Sequence, residues 1–214
     1  MAEAITYLEA IRQGLWEEME RDDRVFCLGE DIGVYGGAFK LTRGFLERFG
    51  PDPVIYLEHK YLYRLPRIKE VLPEEDYVVP IGKAAVRRYG KDISLITCGA
   101  MLLHCLDAAE ILEREGVSAE VLDLRTLLPL DVQAIESTAR KTGKVLIVHE
   151  DTRTGGIAGE ITAILNERAF EFLDGPVLRV TAPDAPVPYS PPLEDYFLPN
   201  AARVLEAARR LAAY

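Results

Sequence analysis

The sequence predicts an α/β fold with a doubly wound, mostly parallel sheet over residues 90–214. Short apolar segments alternate there with helical segments, and such alternation indicates βαβ crossovers with helices on both faces of one sheet. Val145–Val148 is apolar without alternation, as expected for a strand that is buried on both sides. The predicted elements are strand 93–98, helix 101–114, strand 119–124, helix 131–140, strand 144–149, helix 156–173, strand 177–181 and helix 199–213.

The first part of the chain predicts a helix that ends near Asp22. Thr6 and Glu9 have the spacing of a capping box. Behind them, apolar side chains recur at helical intervals, namely Ile5, Leu8, Ile11, Leu15 and Met19. After this helix we predict strand 24–28, a short helix over 42–49, a break at 50–53 and strand 54–57. We expect the two strands to be able to pair as neighbours.

Two proline-containing stretches organise the rest of the chain. Residues 58–76 are polar and punctuated by prolines, which indicates a connection, and Tyr77–Tyr89 is predicted to be an extended arm. We therefore divide the chain into units 1–62, 63–89 and 90–214. Six of the 13 prolines lie between Pro183 and Pro199, interleaved with aromatic side chains, so we predict an ordered, extended segment that packs on a surface.

Charge excludes two classes of partner. The 214 residues carry 25 Lys and Arg against 35 Asp and Glu, for a net charge of -10. A binder of nucleic acid or of an anionic membrane needs a basic face, so we expect neither partner. Residues 90–214 alone hold 12 basic and 19 acidic side chains, which favours a basic protein partner.

Cysteine usage and hydropathy point to a cytoplasmic protein. Cys27, Cys98 and Cys105 are too few and too scattered for a disulfide framework or a zinc site. No signal peptide is recognisable near Glu3 and Glu9, and the longest apolar run, 93–106, is broken by polar residues. We expect no metal site and interpret Cys98 and Cys105 as core residues.

The glycine cluster Gly155–Gly159 follows a strand and opens a helix. Backbone N–H groups at such a helix start could hold a phosphate. However, Glu150, Asp151 and Glu160 surround the cluster, and no lysine occupies the position that a P-loop requires. We favour the alternative that glycine lets the helix pack closely on the sheet.

Among the histidines, His149 has the most suggestive position, because it ends a strand at the carboxyl edge of the predicted sheet, beside Glu150. It could act as an acid, a base or a hydrogen-bond donor. The alternative, which we favour, is a loop histidine that holds the turn through local hydrogen bonds. His104 is predicted to be a half-buried packing residue, and His59 has no metal-ligand companion.

Glu30 is the best-placed carboxylate of the first half, since it ends a predicted strand before a glycine loop. It could orient a heterocyclic cofactor by sharing a proton, or it could cap the N–H groups of its own loop. The residues alone leave both roles open and show no complete catalytic set.

Collinear motifs along nearly the whole chain match one family, in stretches 6–11, 17–19, 28–33, 36–39, 42–44, 52–58, 62–64, 81–84, 118–127, 141–144, 149–150, 155–161, 181–184 and 198–199. Together these stretches resemble the β subunits of the E1 component of 2-oxo acid dehydrogenase complexes of the pyruvate and branched-chain type. The resemblance implies a transketolase C-terminal-like domain over 90–214. It also implies that residues 1–62 are the shortened remnant of a pyrimidine-binding domain of the thiamine-diphosphate fold.

The sequence departs from the family between Gly50 and Val54, where a long central segment is missing. In the family that segment holds the glutamate that activates the cofactor, an active-site histidine and a potassium site. No catalytic residue can therefore be assigned here, and only Glu30 matches a family position near the cofactor.

The resemblance implies a chain of an E1 enzyme that decarboxylates a 2-oxo acid and transfers the acyl group to lipoyl groups of E2. Thiamine diphosphate with magnesium would be the cofactor, bound mainly by the E1 α subunit. The expected partners are that subunit, in an oligomer, and the small, basic docking domain of the E2 acyltransferase. The alternatives are a non-catalytic assembly module that dimerises or docks E2, and a transketolase-like relative.

Overall fold

A computed structural model describes residues 7–22, 27, 41–49, 59, 62, 65, 67 and 79–214. The chain divides into two compact units, residues 1–59 and residues 60–214. The predicted strands 24–28 and 54–57 lie outside the described residues, Cys27 excepted, and so do Thr6 and Glu30. The assignment of residues 1–62 to a remnant domain therefore stays a prediction.

The first unit contains α1 (Tyr7–Arg21) and α2 (Phe45–Phe49). The Trp16 ring packs edge-on against Phe45 and Phe49, with ring centroids 5.2 and 5.1 Å away. The prediction of the first helix is confirmed, whereas α2 begins three residues later than the predicted Thr42. Gly44 has a φ of 87°, and this left-handed conformation keeps residues 41–44 in a turn.

The second unit is a five-stranded sheet with strand order β1-β3-β2-β4-β5. Its strands are β1 (Ala85–Arg88), β2 (Ile93–Thr97), β3 (Ala119–Asp123), β4 (Val145–Thr152) and β5 (Leu178–Ala182). Strands β2 to β5 are parallel to one another, and β1 is an antiparallel edge strand on β3. The predicted mostly parallel sheet is confirmed.

Helices cover both faces of this sheet, which confirms the doubly wound architecture. They are α3 (Met101–Arg114), α4 (Val132–Thr142), α5 (Ile157–Arg168), α6 (Pro191–Phe197) and α7 (Ala201–Ala212). On one face α3 and α7 pack against Leu95 and Leu146. On the other face α4 and α5 pack against Ile96 and Ile147. Within the described ranges no helix has the length and apolar character to cross a membrane.

Three details differ from the sequence prediction. The predicted arm contains β1, which pairs with β3. Residues 191–197, predicted to be extended, form α6 instead, because Pro191 and Pro192 occupy its first turn, where proline is pre-organised for a helix and sacrifices no intrahelical hydrogen bond. Helix α5 ends at Arg168 rather than near Leu173, and a 3-10 turn over Phe170–Phe172 follows it.

A buried polar network ties α4 to the sheet. The Glu120 side chain of β3 is 1% exposed; Thr138 Oγ1 donates to its Oε1 over 2.6 Å, and Lys141 pairs with its Oε2. Thr138 also hydrogen-bonds the Ser94 hydroxyl of β2 over 2.7 Å. Because a buried charge needs a partner, this network favours one position of α4 over the two strands.

We expect Lys141→Met to lower the free energy of unfolding by about 3 kcal/mol, because it leaves a buried carboxylate without its cation. The measurement is chemical denaturation. The double variant Glu120→Gln/Lys141→Met should recover part of that loss, since no uncompensated charge remains. Additive losses in the double variant would contradict the role of the pair.

Candidate functional site

The carboxyl ends of the parallel strands meet at one edge of the sheet. Strand β3 lies on one side of β2 and β4 on the other, so the direction of winding reverses between β2 and β4. Ligands of open α/β sheets bind at such a switch point. Cys98 follows β2, Asp123 ends β3, and His149 and Glu150 lie on β4, so the structure brings the predicted candidate His149 to the same edge as three further polar residues.

His149 is buried, with 3% of its surface exposed. Neither ring nitrogen has a hydrogen-bond partner within the described part of the chain. Burial lowers the pKa of His149, Asp151 and Glu150 act to raise it, and Arg179 lowers it further. The imidazole is therefore neutral near pH 7, and the described structure does not contain the local hydrogen bonds that the sequence suggested.

The glycine at position 156 is required by close packing. A Cβ atom there would lie 2.4 Å from the Thr152 carbonyl oxygen and 2.5 Å from Cε1 of His149. Only a residue without a side chain allows α5 to begin so close to the end of β4. By contrast, a Cβ at Gly159 would meet nothing within 4 Å. The geometry supports the packing interpretation for Gly156 and gives Gly159 no such role.

Above this contact lies a hollow of about 610 Å³ at the start of α5, lined by the glycine loop, Arg153, Arg179 and Glu160. The loop Gly155–Gly159 contains no basic residue of its own, but the fold places the side chains of Arg153 and Arg179 beside it. Arg153 lies two residues before Gly155, so the sequence alone could have indicated a basic side chain near the loop. Arg179 lies on β5, and only the fold brings it close to the loop. Two guanidinium groups beside a helix N-terminus could hold an anionic group.

The hollow is bounded by a fixed loop. The Asp184 carboxylate accepts hydrogen bonds from the Thr154 backbone N–H over 2.8 Å and from its hydroxyl over 2.7 Å. These bonds lower the pKa of Asp184. Nη1 of Arg153 donates to the Arg179 carbonyl oxygen over 3.4 Å. The loop after β4 is thereby tied to the residues at and after β5.

Burial disfavours the thiolate form of both Cys98 and Cys105. Burial, followed by the charges of Asp123 and Glu150, raises the pKa of Cys98 to about 11. Cys105 is fully buried, and burial raises the pKa of its thiol to about 12. The core interpretation is confirmed for Cys105, whereas Cys98 is only partly buried. His104 is partly buried, as predicted, and burial lowers its pKa.

The described residues show only part of what a site for thiamine diphosphate with magnesium would need. Within these ranges no three His, Cys, Asp or Glu side chains group around a possible metal position. Arg153 and Arg179 suit an anion, but Glu30, the carboxylate expected near the cofactor, lies outside the described residues.

Comparison with known proteins identifies related sequences. The transketolase C-terminal domain pattern matches residues 82–204. The β subunit of 2-oxoisovalerate dehydrogenase from Bacillus subtilis (strain 168) is 33% identical over 326 aligned positions, which cover 98% of this chain and 99% of the relative. The β subunit of the pyruvate dehydrogenase E1 component from the same organism is 48% identical over 160 residues, which cover 75% of this chain and 48% of the relative.

A solved structure supports the fold. A split-gene transketolase, described as an inactive β4 tetramer, superposes with a TM-score of 0.57 at 28% identity and covers 68% of this chain and 46% of that one. The chain spans about half the length of the pyruvate dehydrogenase subunits that it matches. The 326-position alignment is far longer than the 214 residues of this chain. The additional alignment positions agree with the expected deletion in this chain. The position of the deletion, between Gly50 and Val54, stays a prediction.

We expect His149 to make stability depend on pH. Burial holds its folded pKa below the unfolded value of 6.5, so its contribution is complete above pH 6.5 and is lost as the pH falls from there towards the folded pKa. Denaturation between pH 5 and pH 8 should show a difference of up to about 1.4 kcal/mol per pH unit between the wild type and His149→Met. His104 titrates in both proteins and cancels. Parallel curves would contradict this prediction.

We expect Gly156→Ala to lower the free energy of unfolding by about 1–3 kcal/mol, because the new methyl group overlaps His149 and a backbone oxygen. The matched control, Gly159→Ala, lies in the same helix with open space around it and should be neutral or stabilising by up to about 1 kcal/mol. Thermal unfolding of both variants checks this contrast. Equal effects of the two substitutions would show that close packing is not what requires Gly156.

Proposed function

We propose, because the chain belongs to the family of E1 β subunits of 2-oxo acid dehydrogenases, that it serves as a β-subunit-like chain of such an enzyme. The assembled enzyme would use thiamine diphosphate to decarboxylate a 2-oxo acid oxidatively and would transfer the acyl group to lipoyl groups of E2. The observation that carries this proposal is the alignment of 98% of this chain along 99% of a 2-oxoisovalerate dehydrogenase subunit.

The proposal divides the work between subunits. The α subunit would hold the diphosphate and magnesium. This chain would contribute Glu30, whose carboxylate would share a proton with the cofactor and orient it. The missing segment would have supplied further groups, so we propose that the shortened form has impaired activity.

The second unit would support assembly. Residues 90–214 carry seven more acidic than basic side chains, and a small basic docking domain of E2 would be attracted to such a surface. If catalysis is lost altogether, this unit would still fold on its own core and act as the assembly module.

The test is reconstitution with the α subunit, thiamine diphosphate, magnesium, and pyruvate or 2-oxoisovalerate. We expect decarboxylation above that of the α subunit alone. Relative to an E1 enzyme with a full-length β subunit, it should be lower by about 100-fold or more, because a missing proton-transfer group costs that much. Turnover no higher than that of the α subunit alone would overturn the catalytic proposal.

Within the same assay, Glu30→Gln should lower kcat by a further 10-fold or more, because its amide cannot take up the proton. The neighbouring substitution Asp31→Asn removes the same charge one position away and serves as the control. If both substitutions have the same small effect, Glu30 does not contact the cofactor.

A further inference from the structure

Helix α6 and the residues before it expose a concentration of large apolar side chains. Val187 is 61% exposed, Tyr189 104%, Leu193 57% and Tyr196 80%. Single exposed apolar side chains are ordinary on protein surfaces, but these four lie within ten residues. Leu193 and Tyr196 are three positions apart in α6 and therefore share one face of the helix. We call Val187, Tyr189, Leu193 and Tyr196 the α6 surface.

Hydrogen bonds hold both ends of the segment that carries the α6 surface. The Arg203 guanidinium donates to the carbonyl oxygens of Thr181, Phe197 and Leu198 over 2.8, 3.4 and 3.3 Å. Phe197, at the end of α6, is buried. With Asp184 bound to Thr154, both ends of the segment are held. Side chains presented on such a rigid support lose little conformational entropy when a partner covers them.

The charged side chains of the segment that carries the α6 surface are all acidic, and the adjacent Arg203 is engaged by backbone carbonyl oxygens. Residues 180–202 contain no lysine or arginine. Glu194 and Asp195 are exposed beside Leu193 and Tyr196, and no ion pair within the described ranges involves either carboxylate. A partner that complements the α6 surface would therefore offer an apolar hollow for the tyrosine rings, flanked by lysine or arginine side chains.

We propose that the α6 surface is a docking site for the E1 α subunit, through an apolar hollow with basic side chains at its rim. This inference rests on the proposed function. The choice of the α subunit over E2 follows from chemistry, since a permanent subunit contact is rich in apolar and aromatic side chains, as the α6 surface is. A small basic domain that binds reversibly suits the acidic remainder of the unit.

The experiment measures binding of the α subunit to the whole chain by surface plasmon resonance, with thermal unfolding to confirm that each variant folds. We expect Tyr189→Ala/Tyr196→Ala to weaken binding by at least 30-fold, because exposed tyrosines at interface centres carry much of the affinity. Phe170→Ala removes an equally exposed aromatic (68%) outside the α6 surface and is the control. Glu194→Lys/Asp195→Lys should slow association and reduce its dependence on salt.

Two outcomes overturn the docking site: the tyrosine variant binds the α subunit like the wild type, or it loses binding of the E2 docking domain instead. If the wild type binds the α subunit through this surface without supporting turnover, the docking site stands and the catalytic proposal fails. If the wild type does not bind the α subunit at all, both proposals fail.

Discussion

Burial of the parallel strands on both faces is the constraint on which the second unit depends. Neighbouring residues of one strand point to opposite sides, so Leu95 enters one core and Ile96 the other. Each face then needs its own layer of helices, and the crossovers that supply them run over both sides of the sheet. This winding brings the ends of β2, β3 and β4 to one edge, where the candidate site residues meet.

Tight packing also explains why the carboxyl edge of the sheet has few reactive side chains in the described structure. At Gly156 the start of α5 presses on His149 so closely that no side chain fits between them. The His149 imidazole has no hydrogen bond within the described structure, and burial raises the pKa of the Cys98 and Cys105 thiols. The polar groups of the hollow, Arg153 and Arg179, lie outside this contact, at the solvent side of the loop.

The periodic spacing of apolar residues predicted the helices and strands that are buried in the core. Side chains that cap helices by hydrogen bonds indicated where some of these helices begin. Asp131 and Asn200 cap α4 and α7 with their side chains, as their residue types favour. Strand β1 was not recognised as a strand, because four half-exposed residues at an edge carry no apolar run. Helix α6 was mistaken for extended chain because proline suits both states. Arg179 lies at the site because of the register in which β5 pairs with β4. No local sequence pattern predicts that register.

Residues 60–214 form a compact unit that contains both apolar cores of the sheet. Loss of a segment at the predicted position between Gly50 and Val54 would therefore remove none of the contacts within these cores. A catalytic site needs each of its groups in place, whereas a docking surface needs only a fold that presents it. The proposed docking role of the α6 surface would therefore survive a loss of catalytic groups, and binding is the property that such a deletion would preserve longest.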